Sequence, residues 1–273
     1  MRIKSSFDRA FDYVIAGAGS AGCVLASRLT EERDVTVLLL EAGGPPRGLF
    51  LDMPVAFPTY AGAPRLDWGY MSEPEPGLGG RSIPVLRGKV LGGSSSINGM
   101  VYARGHRLDY DDWRAMGLTG WGYRDVLPYF KRSERSWLGE GPYHGGSGEL
   151  EVTVPDAECV LSDVVGASAR AAGYPVTEDY HGANAEGFMR MEMTVTRRGR
   201  RASMARTFLF PAMRRGNLTV QSHALATRVL IEQGRAIGIE YLRGGRKERV
   251  RAEREVVLAG GVYGSPQMLL LSG

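Results

Sequence analysis

The stretch "FDYVIAGAGSAGCVLASRLTEE", residues 11–32, decides the fold. Its first residues form an apolar run typical of a short buried strand, and Val24, Leu25 and Leu29 then recur at helical spacing. A second apolar run, "VTVLLLE" at 35–41, predicts the next strand. A strand, a helix and a second strand within about thirty residues form one βαβ unit, the smallest unit that builds a parallel sheet.

The turn between the first strand and the helix has the glycine pattern G-x-G-x-x-G. Gly17 permits the tight turn, Gly19 lets the backbone approach a pyrophosphate, and Gly22 lets the helix pack closely on the strand. Ser20 and Ala21 open the helix, whose free N–H groups and dipole favour an anion. The pattern predicts a dinucleotide-binding turn, and the alternative is a tight βα turn without a ligand.

An acidic residue, Glu41, ends the second strand and is followed by Ala42. An acid about twenty residues after the glycine motif is placed to bind a ribose diol and disfavours a 2′-phosphate. The ligand is therefore expected to resemble NAD or FAD rather than NADP. The glycine motif alone does not choose between NAD and FAD.

Composition and charge exclude several other classes. The chain has 273 residues and a net charge of +4, and its last basic cluster, 243–254, alternates with glutamates and contains no aromatic residue to stack on bases. We therefore expect no nucleic-acid partner. Two cysteines without metal-ligand spacing favour a reducing compartment, and no apolar run is long enough for a transmembrane segment, so we expect a cytoplasmic protein.

Beyond the βαβ unit the pattern changes. Residues 43–85 show no periodicity and predict a long, lid-like excursion. Helices are predicted at 121–134 and 162–174, and strict alternation at 188–195 predicts a strand with its methionines buried. The remaining predictions are a hairpin at 228–242 that turns at Gln233-Gly234, a strand at 255–261, and a helix with Ser265 as N-cap and Pro266 as its first residue.

Several of these stretches together resemble one family, the glucose–methanol–choline (GMC) oxidoreductases. They are "DYVIAGAGSAGCVLASRL", "LLLEAGG", "RGKVLGGSSSINGMVYARG", "WGYRDVLPYFKRSE", "SMARTFLFPAMRRGNLTV" and "LAGGVYGSPQMLLLSG". The resemblance runs from about Asp12 to Gly273 and implies an FAD-dependent alcohol dehydrogenase or oxidase, similar to choline dehydrogenase. It implies an α/β fold in which an α+β substrate domain with an antiparallel sheet, truncated here, is inserted into a Rossmann-like FAD domain.

The resemblance also implies the domain bounds and the cofactor site. FAD would bind to 8–155 and 219–273, and 156–218 would be part of a substrate-binding domain. The loop from Gly92 to Met100 would lie against the flavin, the backbone of Val229 would meet the adenine, and Ala259-Gly260 would pass beside the ADP half. The expected cofactor-binding residues are Gly17, Gly19, Ser20, Ala21, Gly22, Glu41, Ala42, Arg87, Val90, Gly92, Gly93, Ser94, Asn98, Gly99, Met100, Val101, Val229, Ala259 and Gly260.

Two further expectations concern the chemistry. Some members of the family carry a flavin-linked histidine in the serine-rich loop, but Ile97 stands in this one, so we expect FAD to be held non-covalently. The four histidines match no catalytic motif of the family, whose base lies in a C-terminal half. The catalytic residues are therefore expected outside this chain, with that half as a possible separate partner chain and an alcohol as substrate.

Three alternatives remain open at this stage. Some relatives of this fold are lyases or light-driven decarboxylases that keep FAD without oxidising an alcohol. A non-catalytic FAD-binding fragment would share every motif named above. An NAD-binding Rossmann dehydrogenase would share the glycine turn alone, and its preparation would not be yellow.

Overall fold

A computed structural model describes residues 7–60, 62–154 and 160–273. The strands are β1 (Arg9–Ala16), β2 (Val37–Leu40), β3 (Tyr70–Met71), β4 (Pro84–Val85), β5 (Glu134–Ser136), β6 (Leu150–Val152), β7 (Leu218–Gln221), β8 (Ala224–Glu232), β9 (Arg235–Arg243) and β10 (Arg246–Leu258). The α-helices are α1 (Ser20–Leu29), α2 (Leu49–Asp52), α3 (Phe57–Tyr60), α4 (Arg107–Ala115), α5 (Tyr123–Ser133), α6 (Val160–Ala171), α7 (Phe210–Ala212) and α8 (Gly261–Leu270).

The chain forms two compact units. The first unit comprises residues up to Asn98 and from Ser203 onward, and the second comprises Gly99–Ala202. These bounds differ from the predicted ones at 155/156 and 218/219, and the former lies outside the described residues. The second unit starts early because the chain after Asn98 pairs with residues far along it: the Tyr102 N–H donates to the Glu192 carbonyl over 2.9 Å.

A six-stranded mixed sheet forms the centre of the first unit, in the order β7-β2-β1-β10-β9-β8. The four strands β7, β2, β1 and β10 are parallel, and β9 and β8 continue the sheet as antiparallel strands. Alternate residues of β1 enter two different hydrophobic clusters, Ile15 in one and Val14 in the other. Burial on both faces explains why the end of β1, Val14–Ala16, and the whole of β2 are apolar, and the predicted α/β fold is confirmed.

The predicted hairpin is confirmed as β8 and β9, with Gln233 (φ 51°) and Gly234 (φ 77°) between them. Two consecutive left-handed residues give the turn whose twist matches that of antiparallel strands. The last helix was predicted incorrectly, because α8 begins at Gly261 and contains Pro266 inside it. The Ser265 hydroxyl accepts from the Gly260 N–H over 3.0 Å, so it lies one turn inside the helix start.

In the second unit β5 and β6 are parallel neighbours. The strand predicted at 188–195 is wrong: these residues form isolated bridges, and the predicted burial is reversed at its centre, since Met191 is 54% exposed and Glu192 is 1% exposed. The reason is polar pairing, because the Glu192 carboxylate accepts from Trp137 Nε1 over 2.7 Å and lies 2.9 Å from His181 Nδ1. Helix α4 was not predicted from the sequence. Within the described residues, no helix is long and apolar enough to cross a bilayer.

Candidate dinucleotide-binding site

The carboxyl ends of three parallel strands meet at one edge of the six-stranded sheet. Ala16 at the end of β1 lies in register with Leu40 of β2 and with Leu258 of β10. The residues that follow these strands are therefore neighbours: the glycine turn from Gly17, Glu41, and Ala259-Gly260. In open α/β sheets this edge is where ligands bind.

Two glycines of the motif are required by the protein itself. Gly17 has φ +104°, and a Cβ there would lie 2.5 Å from the Ala259 carbonyl oxygen. A Cβ at Gly22 would lie 1.9 Å from the Gly17 carbonyl oxygen. Both positions therefore exclude a larger residue whether or not a ligand binds.

Gly19 differs from both neighbours in the motif. A Cβ there would find its nearest protein atom, the Ala259 carbonyl oxygen, at 3.9 Å, which is ordinary contact. Gly19 is also the N-cap of α1, and its helix has no side-chain cap. The space beside Gly19 is therefore open on the ligand side, and the first N–H groups of α1 face it with the positive end of the helix dipole.

Glu41 is held in place by main-chain donors. Its carboxylate accepts from the Ala18 N–H over 2.9 Å and from the Gly43 N–H over 2.8 Å, and the residue is 6% exposed. Burial raises its pKa, and these N–H groups and the nearby Lys89 oppose that rise. The two donors fix the carboxylate at the end of β2, and each oxygen keeps acceptor capacity for a further donor.

The serine-rich loop forms a short 3₁₀ helix, Gly93–Ser96, packed against the glycine turn. A Cβ at Gly93, where φ is +54°, would lie 2.7 Å from Gly19 Cα. Ser94 lines the cavity described below, whereas the hydroxyls of Ser95 and Ser96 donate to the carbonyls of Gly92 and Leu91 over 2.6 and 2.8 Å. The Ser94 hydroxyl in turn accepts from the Gly88 N–H over 3.1 Å, so all three hydroxyls stabilise the loop.

One cavity of about 540 Å³ lies in the first unit beside these elements, a size typical of a ligand pocket. Eleven of the predicted cofactor residues line it: Gly17, Gly19, Ser20, Ala21, Glu41, Ala42, Arg87, Gly93, Ser94, Ala259 and Gly260. The described wall therefore joins segments predicted independently from the glycine turn, the serine-rich loop and the C-terminal stretch.

Other predicted residues take different places. Gly22, Val90, Gly92, Asn98 and Val229 belong to the first unit but not to the cavity wall, and Gly99, Met100 and Val101 belong to the second unit. The Val229 side chain is in the core, and its N–H donates to the Ser272 hydroxyl over 2.9 Å. The residues of β8 that line the cavity are 224–227, which precede Val229.

The cavity is also lined by three aromatic residues that were not predicted as site residues: Trp68, Tyr70 and Tyr263. Trp68 and Tyr70 belong to the predicted excursion, and Tyr263 lies in the first turn of α8. Their only signal in the sequence is the density of aromatic residues in an aperiodic segment. Trp68 and Tyr70 lie close to Tyr263, which is almost two hundred residues later, because β10 pairs with β1.

Comparison with known proteins decides the family. The GMC oxidoreductase model for the N-terminal domain matches residues 11–273. The chain belongs to the GMC oxidoreductase family. It is 49% identical over 268 residues to an oxygen-dependent choline dehydrogenase from Stenotrophomonas maltophilia, covering 96% of this chain and 48% of that protein. The chain thus spans about half the length of the curated relatives it matches.

Solved structures agree with this membership. Pyridoxine 4-oxidase from Mesorbium loti matches with a TM-score of 0.92 and 33% identity over 96% of this chain and 52% of that one. An FAD-dependent oxidoreductase from Chaetomium thermophilum matches with a TM-score of 0.90 and 33% identity over 96% and 47% of the two chains. GMC membership and these neighbours imply FAD, and the open space at Gly19 with its uncapped helix fits a dinucleotide diphosphate.

The four histidines all have structural contacts. His106 caps α4, and the ring of His223 would lie 2.8 Å from a Cβ at Gly44. His144 and His181 are 5% and 6% exposed and face carboxylates. These contacts leave the catalytic base unassigned.

Proposed function

We propose that this chain supplies the FAD-binding part of an oxidoreductase that acts on the CH–OH group of an alcohol. The observation that carries the proposal is the single cavity at the carboxyl edge of the sheet, which brings together the glycine turn, Glu41, Ser94 and Ala259-Gly260. The name of the relatives at 48–49% identity makes choline the first substrate to test.

Different residues bind different parts of FAD in this proposal. The open backbone at Gly19 and the first turn of α1 receive the diphosphate, and Glu41 accepts hydrogen bonds from the ribose diol. Ala259-Gly260 pass beside the ADP half, while Ser94 offers a hydroxyl. The chemistry that FAD supplies is acceptance of a hydride from the carbinol carbon.

Non-covalent attachment is part of the proposal. Ile97 is 5% exposed and packs in a hydrophobic cluster with Val90 and Leu51. An aliphatic side chain offers no nucleophile for a bond to the flavin. Denaturation of the loaded chain should release all of its flavin into the supernatant, whereas flavin that remains with the precipitated polypeptide would contradict this part.

Catalysis is proposed to need the polypeptide that corresponds to the second half of the relatives, as a continuation or as a separate chain. The exposed apolar residues of α8 away from the cavity, Leu269 at 54% and Leu270 at 84%, fit such a partner. A cytoplasmic location stays a prediction.

The test is anaerobic mixing of the FAD-loaded chain and that second polypeptide with choline or a simple primary alcohol. Loss of the oxidised flavin's visible absorbance is the expected result, and the same mixture without the second polypeptide is the control. A lyase or decarboxylase would be favoured if the flavin stays oxidised with every alcohol while the mixture cleaves a substrate or converts a carboxylic acid under light. Flavin inert in every assay would leave a non-catalytic FAD-binding chain.

A further inference from the structure

A continuous row of aromatic rings borders the cavity, formed by Trp68, Tyr70 and Tyr263. The rings of Trp68 and Tyr70 are stacked with centroids 5.9 Å apart and planes 3° apart. Tyr70 meets Tyr263 edge to face, again at 5.9 Å, with 74° between the planes. The row therefore connects the segment before β4 to the first turn of α8, and all three residues line the cavity.

Two cations lie on the faces of this row. The Arg87 guanidinium carbon is 5.1 Å from the centroid of the Tyr263 ring, and Lys89 Nζ is 4.8 Å from the centroid of the Trp68 ring. Both distances are within the range of an attractive cation–π contact. In the part of the chain that the structure describes, neither cation forms a salt bridge, and Lys89 also lies close enough to Glu41 to oppose the rise of its pKa.

The backbone of Arg87 is fixed independently of its side chain. Its N–H donates to the buried Asp67 carboxylate over 3.0 Å, and its carbonyl accepts from the Trp68 N–H over 3.0 Å. One guanidinium nitrogen, Nη1, donates to the neighbouring Leu86 carbonyl. This hydrogen bond and the ring of Tyr263 are thus the two contacts that orient the guanidinium of a side chain whose base is already anchored.

The cavity side of Arg87 leads to the diphosphate position. A Cβ at the next residue, Gly88, would lie 2.3 Å from the Gly93 carbonyl oxygen, and Gly93 in turn packs on Gly19. Arg87 therefore lies on the cavity wall close to the N-terminus of α1, and because it forms no salt bridge among the described residues, its charge favours an anion there.

We propose that Tyr263 is a positioning residue that holds the Arg87 guanidinium toward the cofactor's diphosphate and thereby slows release of the dinucleotide. The proposal rests on the proposed FAD site and adds a residue that acts through another. Neither the glycine motif nor the serine-rich loop assigns this role to Tyr263.

The test is the rate at which the FAD-loaded chain loses flavin, followed by separating free from bound flavin at intervals. Tyr263→Leu should release FAD roughly three- to tenfold faster, which is the range that a cation–π contact supports. Tyr263→Phe keeps the ring face and should match the unmodified chain. Tyr129→Leu is the control, because Tyr129 is a 70% exposed tyrosine on α5 in the other unit.

A double-mutant cycle separates positioning from general packing. Arg87→Met should accelerate release at least as much as Tyr263→Leu, and the two changes together should be no faster than Arg87→Met alone. Added salt should accelerate release from the unmodified chain more than from either variant, because it screens the Arg87–diphosphate pair.

Three results would overturn the role of Tyr263: release from Tyr263→Leu at the unmodified rate, additive effects in the cycle, or a Tyr263→Phe variant as fast as Tyr263→Leu. Should Tyr263→Leu melt early, the salt dependence of Arg87→Met and the rate of Tyr263→Phe still decide. An unmodified chain that takes up no FAD would instead contradict the proposed function itself.

Discussion

At the residue scale, the three glycines of one motif have different reasons to be glycine. Gly17 and Gly22 are fixed by protein backbone within 2.5 Å of a would-be Cβ, whereas Gly19 has 3.9 Å of clearance. The sequence pattern predicts all three alike, because it records only the missing side chain. The structure separates a folding requirement from a binding requirement.

The first prediction follows from Gly22. Gly22→Ala would place a methyl group 1.9 Å from the Gly17 carbonyl oxygen, so α1 must move away from β1. We expect the free energy of unfolding to fall by about 3 kcal/mol, as for overpacked cores. Urea unfolding followed by circular dichroism measures it.

Gly216→Ala is the matched control, because a Cβ at that exposed glycine meets nothing within 4 Å. Its stability should stay within about 0.5 kcal/mol of the unmodified chain. Equal stability of Gly22→Ala and Gly216→Ala would show that the close approach at Gly22 is not required.

At the element scale, the success of prediction depended on what holds each element. The β8–β9 hairpin was predicted because its turn chemistry is local, in Gln233-Gly234. The segment 188–195 was predicted wrongly because the burial of Glu192 depends on residues outside the segment: Trp137 lies 55 residues earlier and His181 lies 11 residues earlier. Alternation of residue types cannot show which face finds polar partners.

Loops of the second unit are joined by buried charges centred on His144. Its Nδ1 lies 3.2 Å from Glu134 Oε1, and its Nε2 lies 3.0 Å from both Asp179 oxygens. The bond to Glu134 raises the pKa of His144, against burial and with help from Asp179. Burial would raise the pKa of Glu134, but His144 and Arg104 outweigh it and lower that pKa to about 2.

The second prediction is the pH dependence that these shifts produce. The raised pKa of His144 stabilises the fold fully below the ordinary histidine value of about 6.5, and this contribution is lost as pH rises through the raised value. The lowered pKa of Glu134 stabilises the fold at pH values above its ordinary pKa of about 4.5, and this stabilisation is lost as the pH falls toward about 2. Both contributions are therefore complete between about pH 4.5 and 6.5.

Glu134→Gln tests this window, because it leaves His144 and Arg104 without their buried partner. We expect a loss of about 3 kcal/mol at pH 5.5 and a smaller loss at pH 8.5, measured by urea unfolding. The control is Glu186→Gln, which removes an exposed carboxylate from the same unit. A Glu134→Gln deficit that is the same at both pH values would contradict the coupling to His144.

At the scale of the whole molecule, the sequence predicted the α/β architecture and eleven residues of the cavity wall. The prediction succeeded because β1, β2 and β10 are parallel and in register, so that the glycine or acidic residues that follow each strand lie at the same edge of the sheet. The aromatic border could not be predicted, since it depends on the path by which the segment 67–88 reaches the cavity wall. The division after Asn98 differs from the predicted bounds because it arises from long-range pairing of loops rather than from a composition change.

The measurement that tests the central claim most directly is the affinity of the purified, flavin-free chain for FAD, with Gly19→Ala and Gly216→Ala beside it. We predict one FAD per chain, unchanged affinity for Gly216→Ala, and roughly tenfold or greater weakening for Gly19→Ala, a loss of about 1.4 kcal/mol or more, with its unfolding free energy almost unchanged. A chain that takes up no FAD, or a Gly19→Ala variant that is equally stable and binds FAD with full affinity, would contradict the placement of the diphosphate at this turn.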